Sequence, residues 1–271
     1  MNNRYKALSL SLVALLIVAA VVIGASLVPE ERITTAFTSR NQPVGAELWL
    51  GSDWLGRDMF ARTLKGFALS IGVGFCASLL SVGIAVLVAG ASSLGLKPVD
   101  RAVSWIINCF LGLPSIVLML ILAFAIGGGF WGIVAAVAIS TWPSLARILQ
   151  AQALKVRSEG FVIDSLRRGR SRGWVAINHV IPSLLPHIAV GLIVGFPHAI
   201  LHEAALSFLG FGFDPATPSL GIILNEAPKY ITSGQWWLIL APVVALVGLA
   251  VLLDRLGNVV RAIMTPSTSQ D

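Results

Sequence analysis

His198 and His202 stand four residues apart in the apolar run HIAVGLIVGFPHAILHEAALSFLG. On an α-helix, residues four apart lie about 40° apart on one face. Imidazole suits nickel, copper and zinc. The pair is therefore a candidate metal contact, too sparse for a tight site but sufficient for a passing ion or chelate. The alternative use is hydrogen bonding to neighbouring helices. Glu203 follows directly and projects about 140° from His198. All three are candidates for the lining of a path, because ionisable groups in an apolar span avoid lipid. A second constellation is Asp53, Gly56, Arg57 and Asp58. Aspartates before an apolar run can cap a helix start, and Arg57 with Asp58 can tie a loop down by charge-assisted bonds. A catalytic carboxylate pair would need a histidine or metal-ligand cluster nearby, and this segment has neither. Cys76 and Cys109 each sit inside an apolar run and read as small buried hydrophobes.

The elements that must position these residues are membrane spans. Of 271 residues, 56% are apolar and only 12% charged, with a mean hydropathy of +0.85. Soluble domains carry about a quarter charged residues, so lipid must solvate much of this chain. The first apolar run, Ala7–Val28, is long enough to cross a bilayer at about 1.5 Å per residue. It exceeds the usual signal-peptide core of roughly 7–15 residues, so it reads as a retained anchor. Five further spans are expected near Phe67–Ser93, Val103–Ile126, Phe130–Leu149, Ile188–Gly210 and Trp237–Leu253. The expected fold is an all-α membrane protein with six transmembrane helices. Residues 1–28 hold the first span, 29–66 an extracytoplasmic segment, and 67–271 a five-helix core.

The net charge of +6 comes from short loops, which argues against nucleic acid as a partner. With the N-terminus inside, six of the nineteen Lys and Arg face outside: Arg32, Arg40, Arg57, Arg62, Lys65 and Lys229. The other thirteen fall inside, which places both termini in the cytoplasm. The cytoplasmic loop at about 150–187 is the most basic stretch. It predicts a short helix over Glu159–Arg168 with Phe161, Val162 and Leu166 on one apolar face. Gly169 then permits a sharp turn. A second short helix carries Trp174, Ile177 and Ile181 and stops before Pro182. Such a knob fits a groove on another protein, or, more blandly, lies on anionic headgroups.

The spacing from Gly169 to Asn178-His179 and Pro182 resembles the coupling loop of ABC importer permeases. Gly51-Ser52-Asp53-Trp54-Leu55-Gly56-Arg57-Asp58 resembles an outer signature of the dipeptide, oligopeptide and nickel branch. So does Ser207-Phe208-Leu209-Gly210-Phe211-Gly212 with the later Pro218-Ser219-Leu220-Gly221. The resemblance implies the six-helix type I ABC importer permease fold in a bacterial inner membrane, and no enzymatic activity in this chain. It implies a second homologous permease, two cytoplasmic ATPases and an extracytoplasmic solute-binding protein as partners. ATP and Mg would be bound by the ATPases, and no cofactor by this chain; a phosphate loop is absent from the sequence. The coupling loop would dock on an ATPase through Phe161, Val162, Ile163, Asp164, Ser165, Leu166 and Gly169. Here the chain departs from the family pattern. Ile163 stands where the motif has glutamate, and the acid at Asp164 points about 100° away.

His198-x-x-Leu201-His202, just before Ser207, further resembles nickel-importer permeases. Nickel or a metal chelate is therefore the first expectation for substrate, with short peptides as the alternative. An ATP-independent channel or carrier ranks below both, and a membrane enzyme lowest.

Overall fold

In the computed structural model of this chain, residues 3–264 are described, and the regular elements among them are helical. The expected cytoplasmic chain ends include residues 1–2 and 265–271, which lie outside the described residues. Helix α1 (Asn3–Leu27) leads through two 3-10 turns to α2 (Met59–Gly90). A further 3-10 turn joins α2 to α3 (Lys97–Leu111), α4 (Ser115–Ile126) and α5 (Gly129–Arg157). The short α6 (Gly160–Arg167) and α7 (Arg172–Val175) run through a π-helical turn, Ala176–Val180, into α8 (Ile181–Phe208). Then come α9 (Leu220–Asn225), α10 (Ala227–Thr232) and α11 (Trp237–Met264).

Among the described residues, four helices are long and apolar enough to cross a bilayer: Met59–Leu94, Gly129–Arg157, Arg172–Phe208 and Trp237–Gly257. The expected single span Val103–Ile126 is instead two helices, α3 and α4, bent by 87°. The cause is local. Gly112 ends α3, and Pro114 disfavours helical backbone at Leu113 while bringing no N–H of its own. Pro114 then sits at the N-cap of α4. Counted as one broken span, the pair makes a fifth. The first apolar run is helical within α1 as far as Leu27, and Leu15–Leu27 forms a shorter apolar stretch. Among the described residues, length and composition therefore support four spans, or five with the broken pair, of the expected six.

The second apolar run begins as a helix at Met59, well before Phe67. Asp58 sets that start: its Oδ1 accepts from the Phe60 and Ala61 backbone N–H groups at 2.9 and 3.2 Å. Helices α2, α5 and α8 form the centre of the bundle. Small residues bring them together, as the absence of a driving force between apolar faces in lipid requires. At Gly74 an added Cβ would lie 2.3 Å from Ile200 Cγ1, and at Gly66 it would lie 3.1 Å from the backbone of Ser219 and Leu220. Two apolar clusters fill the bundle. One, with Ile107, Trp142, Leu149 and Val162, lies towards α6; the other, with Met119, Ile133 and Leu206, lies towards α4. Leu249 and Leu253 of α11 pack on Ile71 and Ile200, with Val18 and Val21 of α1 against them.

Candidate functional site

A cavity of about 680 Å³ opens between α2, α4, α5 and α8. Its polar lining consists of hydroxyls and imidazoles: Ser78, Ser81, Ser115, Ser140, Thr141, Ser144, His187, His198 and His202. No Asp, Glu, Lys or Arg lines it. Several hydroxyls are anchored in the bundle. Thr141 Oγ1 donates to Val137 O at 2.8 Å, and Ser78 Oγ to Leu192 O at 3.1 Å. Gly195 lets α2 approach α8 here, since an added Cβ would meet Ser78 Oγ at 3.2 Å.

The structure places His198 and His202 together on this cavity, as their spacing suggests, and adds His187. At the membrane boundary, His187 has no special role on sequence grounds. The signal was available: eleven residues separate it from His198, which is three turns and about 20° of rotation. Those turns also put the two about 16 Å apart along the axis, too far to share an ion. Among the described residues, no group of three His, Cys, Asp or Glu could hold a metal ion.

Glu203 does not line the cavity. It is fully buried and accepts from Ser70 Oγ at 2.6 Å, Ser219 Oγ at 2.8 Å and Ser207 Oγ at 2.9 Å. The 140° rotation that separates it from His198 turns it into the contact between α2, α8 and the start of α9. Its place is therefore a polar joint rather than a path.

At the far end of α2, the four outer residues form a buried latch. Gly56 has φ +81°, and an added Cβ would sit 1.8 Å from Ala36 O, so only glycine fits. Asp53 Oδ1 accepts from the backbone N–H groups of Leu55 and Arg57, both at 2.9 Å. Its Oδ2 accepts from Arg57 Nε at 2.6 Å and Arg62 Nη1 at 2.7 Å. Both arginines reach on to Glu226, Arg57 Nη2 at 3.0 Å and Arg62 Nη1 at 2.8 Å. Tyr230 Oη completes the cluster by donating to Glu226 Oε2 at 2.6 Å. Asp58 pairs with Arg32 at 3.0 Å while capping α2. Burial by itself would raise the Glu226 pKa, but Arg62, Tyr230 and Arg57 together hold it below the ordinary value. Burial pushes the Tyr230 phenol up. Glu226 and Tyr230 are the residues that sequence reading missed. They lie more than 160 positions from Arg62, and the loop at 211–236 holds two acids, Asp214 and Glu226, with nothing local to say which one pairs.

At the opposite end stands the basic knob. Helix α6 occupies nearly the expected residues, and Gly169 turns the chain with φ +83°. Two expectations are corrected. Val162 is buried in the bundle cluster with 1% exposure, whereas Phe161 is 54% exposed. They do not share a face, because adjacent residues lie about 100° apart. Phe161, Ile163, Asp164 and Leu166 are exposed around the rest of α6, with Ser165 half-buried. Second, the helix does not stop at Pro182. The π-helical turn at Ala176–Val180 carries the chain continuously into α8, and Pro182 falls in the first turn of α8, where a missing N–H is tolerated. His179 clasps the knob. Its Nε2 lies 3.1 Å from Ser165 Oγ, and its ring stands edge-on to Phe161 and Trp174 at 5.4 and 5.3 Å.

Residues 81–265 match the family described as binding-protein-dependent transport system inner membrane component. The dipeptide transport system permease protein DppC of Bacillus subtilis is 31% identical over 241 residues, covering 89% of this chain and 75% of the relative. A Brucella ovis protein with the provisional name of peptide permease protein is 34% identical over 219 residues, covering 80% and 72%. A Brucella abortus protein provisionally named as a peptide transport system permease is 29% identical over 264 residues, covering 97% and 88%.

Proposed function

Since this chain belongs to the binding-protein-dependent transport system inner membrane component family, as an ABC importer permease subunit, we propose that its cargo is short peptides. The observation that carries this reading is the pairing of peptide-permease relatives with a cavity of hydroxyls and imidazoles that has no carboxylate. Nickel, the first expectation from the histidine pair, has no counterpart among the names of these relatives, and two histidines are too few for a tight site. A peptide brings an ammonium, a carboxylate and amides. Hydroxyls and neutral imidazoles each donate and accept, so they meet these groups without fixed charge.

In this reading the cavity is this chain's half of the path, and a second homologous permease supplies the other half. The knob faces the cytoplasm and docks on one of two ATPases, which hold ATP and Mg. The latch faces outwards and, itself buried, braces the outer loops on which a solute-binding protein lands. Both chain ends lie in the cytoplasm of a bacterial cell, beneath its inner membrane.

Uptake by a strain lacking the gene tests the cargo. Loss of labelled dipeptide uptake, with labelled nickel uptake intact, is expected. The reverse pattern overturns the peptide reading and restores nickel.

A further inference from the structure

The electrostatics of the cavity carry the peptide reading one step further, and the inference rests on that reading. A hydroxyl does not ionise near neutral pH, and an imidazole changes only from neutral to cationic. Every polar side chain lining the cavity is one or the other. Its own lining is therefore neutral or positive and never negative. The nearest carboxylate in sequence, Glu203, is fully buried and held by three serines. Arg147, beside the lining residue Ile148, is engaged by Asn108 Oδ1. Glu203 therefore offers no counter-charge to a passing cation, and Arg147, bonded to a neutral amide, keeps a positive charge.

His198 and His202 dominate this balance because they sit one turn apart on the same wall. His187 lines the cavity further along α8, and its Nδ1 is buried with no hydrogen-bond partner. We infer that His198 and His202 are charge-selectivity determinants: they let carboxylate-bearing, net neutral or acidic peptides pass and disfavour peptides with extra cationic side chains. Within this chain's half of the path a lysyl side chain would meet a partly apolar wall with no opposing charge, where charge–charge effects are several times stronger than in bulk water. A carboxylate there gains imidazole and hydroxyl donors. The same polarity logic excludes cations from other pores by rings of basic or neutral donors.

The test uses the complete importer, with its ATPases, second permease and binding protein, in proteoliposomes. Turnover is measured at saturating peptide-loaded binding protein, so that differences in capture do not enter. The readout is the turnover ratio of alanyl-alanine to lysyl-lysine. The expected ratio for the unaltered complex is about fivefold or more in favour of the neutral peptide. His202→Asp places a carboxylate on the wall and should lower that ratio about tenfold, and the double variant His198→Gln with His202→Gln, which removes both imidazoles without adding charge, should lower it at least about threefold. Ser144→Asp, on α5, puts the same charge into the cavity from another helix and should shift the ratio the same way. This second variant keeps the test sharp if His202→Asp fails to assemble. Dipeptide turnover with one ratio across all variants overturns the inference and leaves the peptide function standing. Nickel turnover without dipeptide turnover in the unaltered complex overturns both.

Discussion

Arg62, in the first turn of α2, donates through Nη1 to Glu226 Oε2 at 2.8 Å, with 1% and 9% of the two side chains exposed. This bond joins the first turn of α2 to the α9–α10 junction, 164 residues later. Buried ion pairs contribute little against apolar replacements, yet breaking one strands its partner. Glu226→Ala is therefore expected to destabilise the protein by about 3–5 kcal/mol. Glu226→Gln, which still accepts from Tyr230, should cost less. Thermal unfolding in detergent measures both, and equal melting temperatures would show that the latch is not a unit.

The same pair sets an acid limit. The folded-state pKa of Glu226 lies below its ordinary value of 4.5. In the window between those values the unfolded chain binds more protons, so stability falls as pH falls. The contribution is complete above about pH 4.5 and is lost progressively as pH drops through the folded value. Melting temperatures followed from pH 7 down to pH 4 and below should show a steeper acid decline in the unaltered protein than in Glu226→Gln.

Gly56→Ala should be among the most damaging single-methyl changes in the chain. It meets both a left-handed backbone and the Ala36 carbonyl at 1.8 Å. Alanine at positive φ alone costs about 1 kcal/mol, and the clash forces the loop to move. Proteolysis of the 29–58 segment reports the loosening; unchanged protection would mean that the loop shifts freely.

Phe161 and Val162 are adjacent and should fail differently. Val162→Ala removes buried methyl groups and should lower stability by about 1–2 kcal/mol. Phe161→Ala removes a half-exposed ring and should leave stability nearly intact while weakening ATPase docking. Measuring the melting temperature and transport-coupled ATP hydrolysis for each separates the effects. Matching losses in both assays for both variants would contradict the placement of Val162 in the core.

Gly169→Pro addresses the turn itself. Proline fixes φ near −65°, and Gly169 holds +83°. The expected result is ATP hydrolysis without transport, in a protein still present in the membrane. Normal transport would remove α6 from the coupling route.

Much of this was written in local sequence. The apolar runs, the Asp58 cap, the turn at Gly169 and the short helix before it depend on neighbours a few residues away, and the chain folded accordingly. Pro114 was visible too, but a proline in an apolar run permits either a kink that the bundle tolerates or a break. Packing of α3 along α5, with Gln150 bonded to Ser104 at 2.9 Å and Arg157 to Asp100 at 2.9 Å, accompanies the break.

For the site, the sequence by itself determined that His198 and His202 share a helical face, because 3.6 residues make a turn. It could not determine what that face meets. Only the tertiary structure decided that the histidines open on a cavity with His187, while Glu203, one residue on, closes on three serines from two other elements and its own helix. The same holds for Arg62 and Glu226. Helical periodicity is a local property of the backbone, whereas the partner of a buried charge is whichever distant group the packed helices bring within about 3 Å.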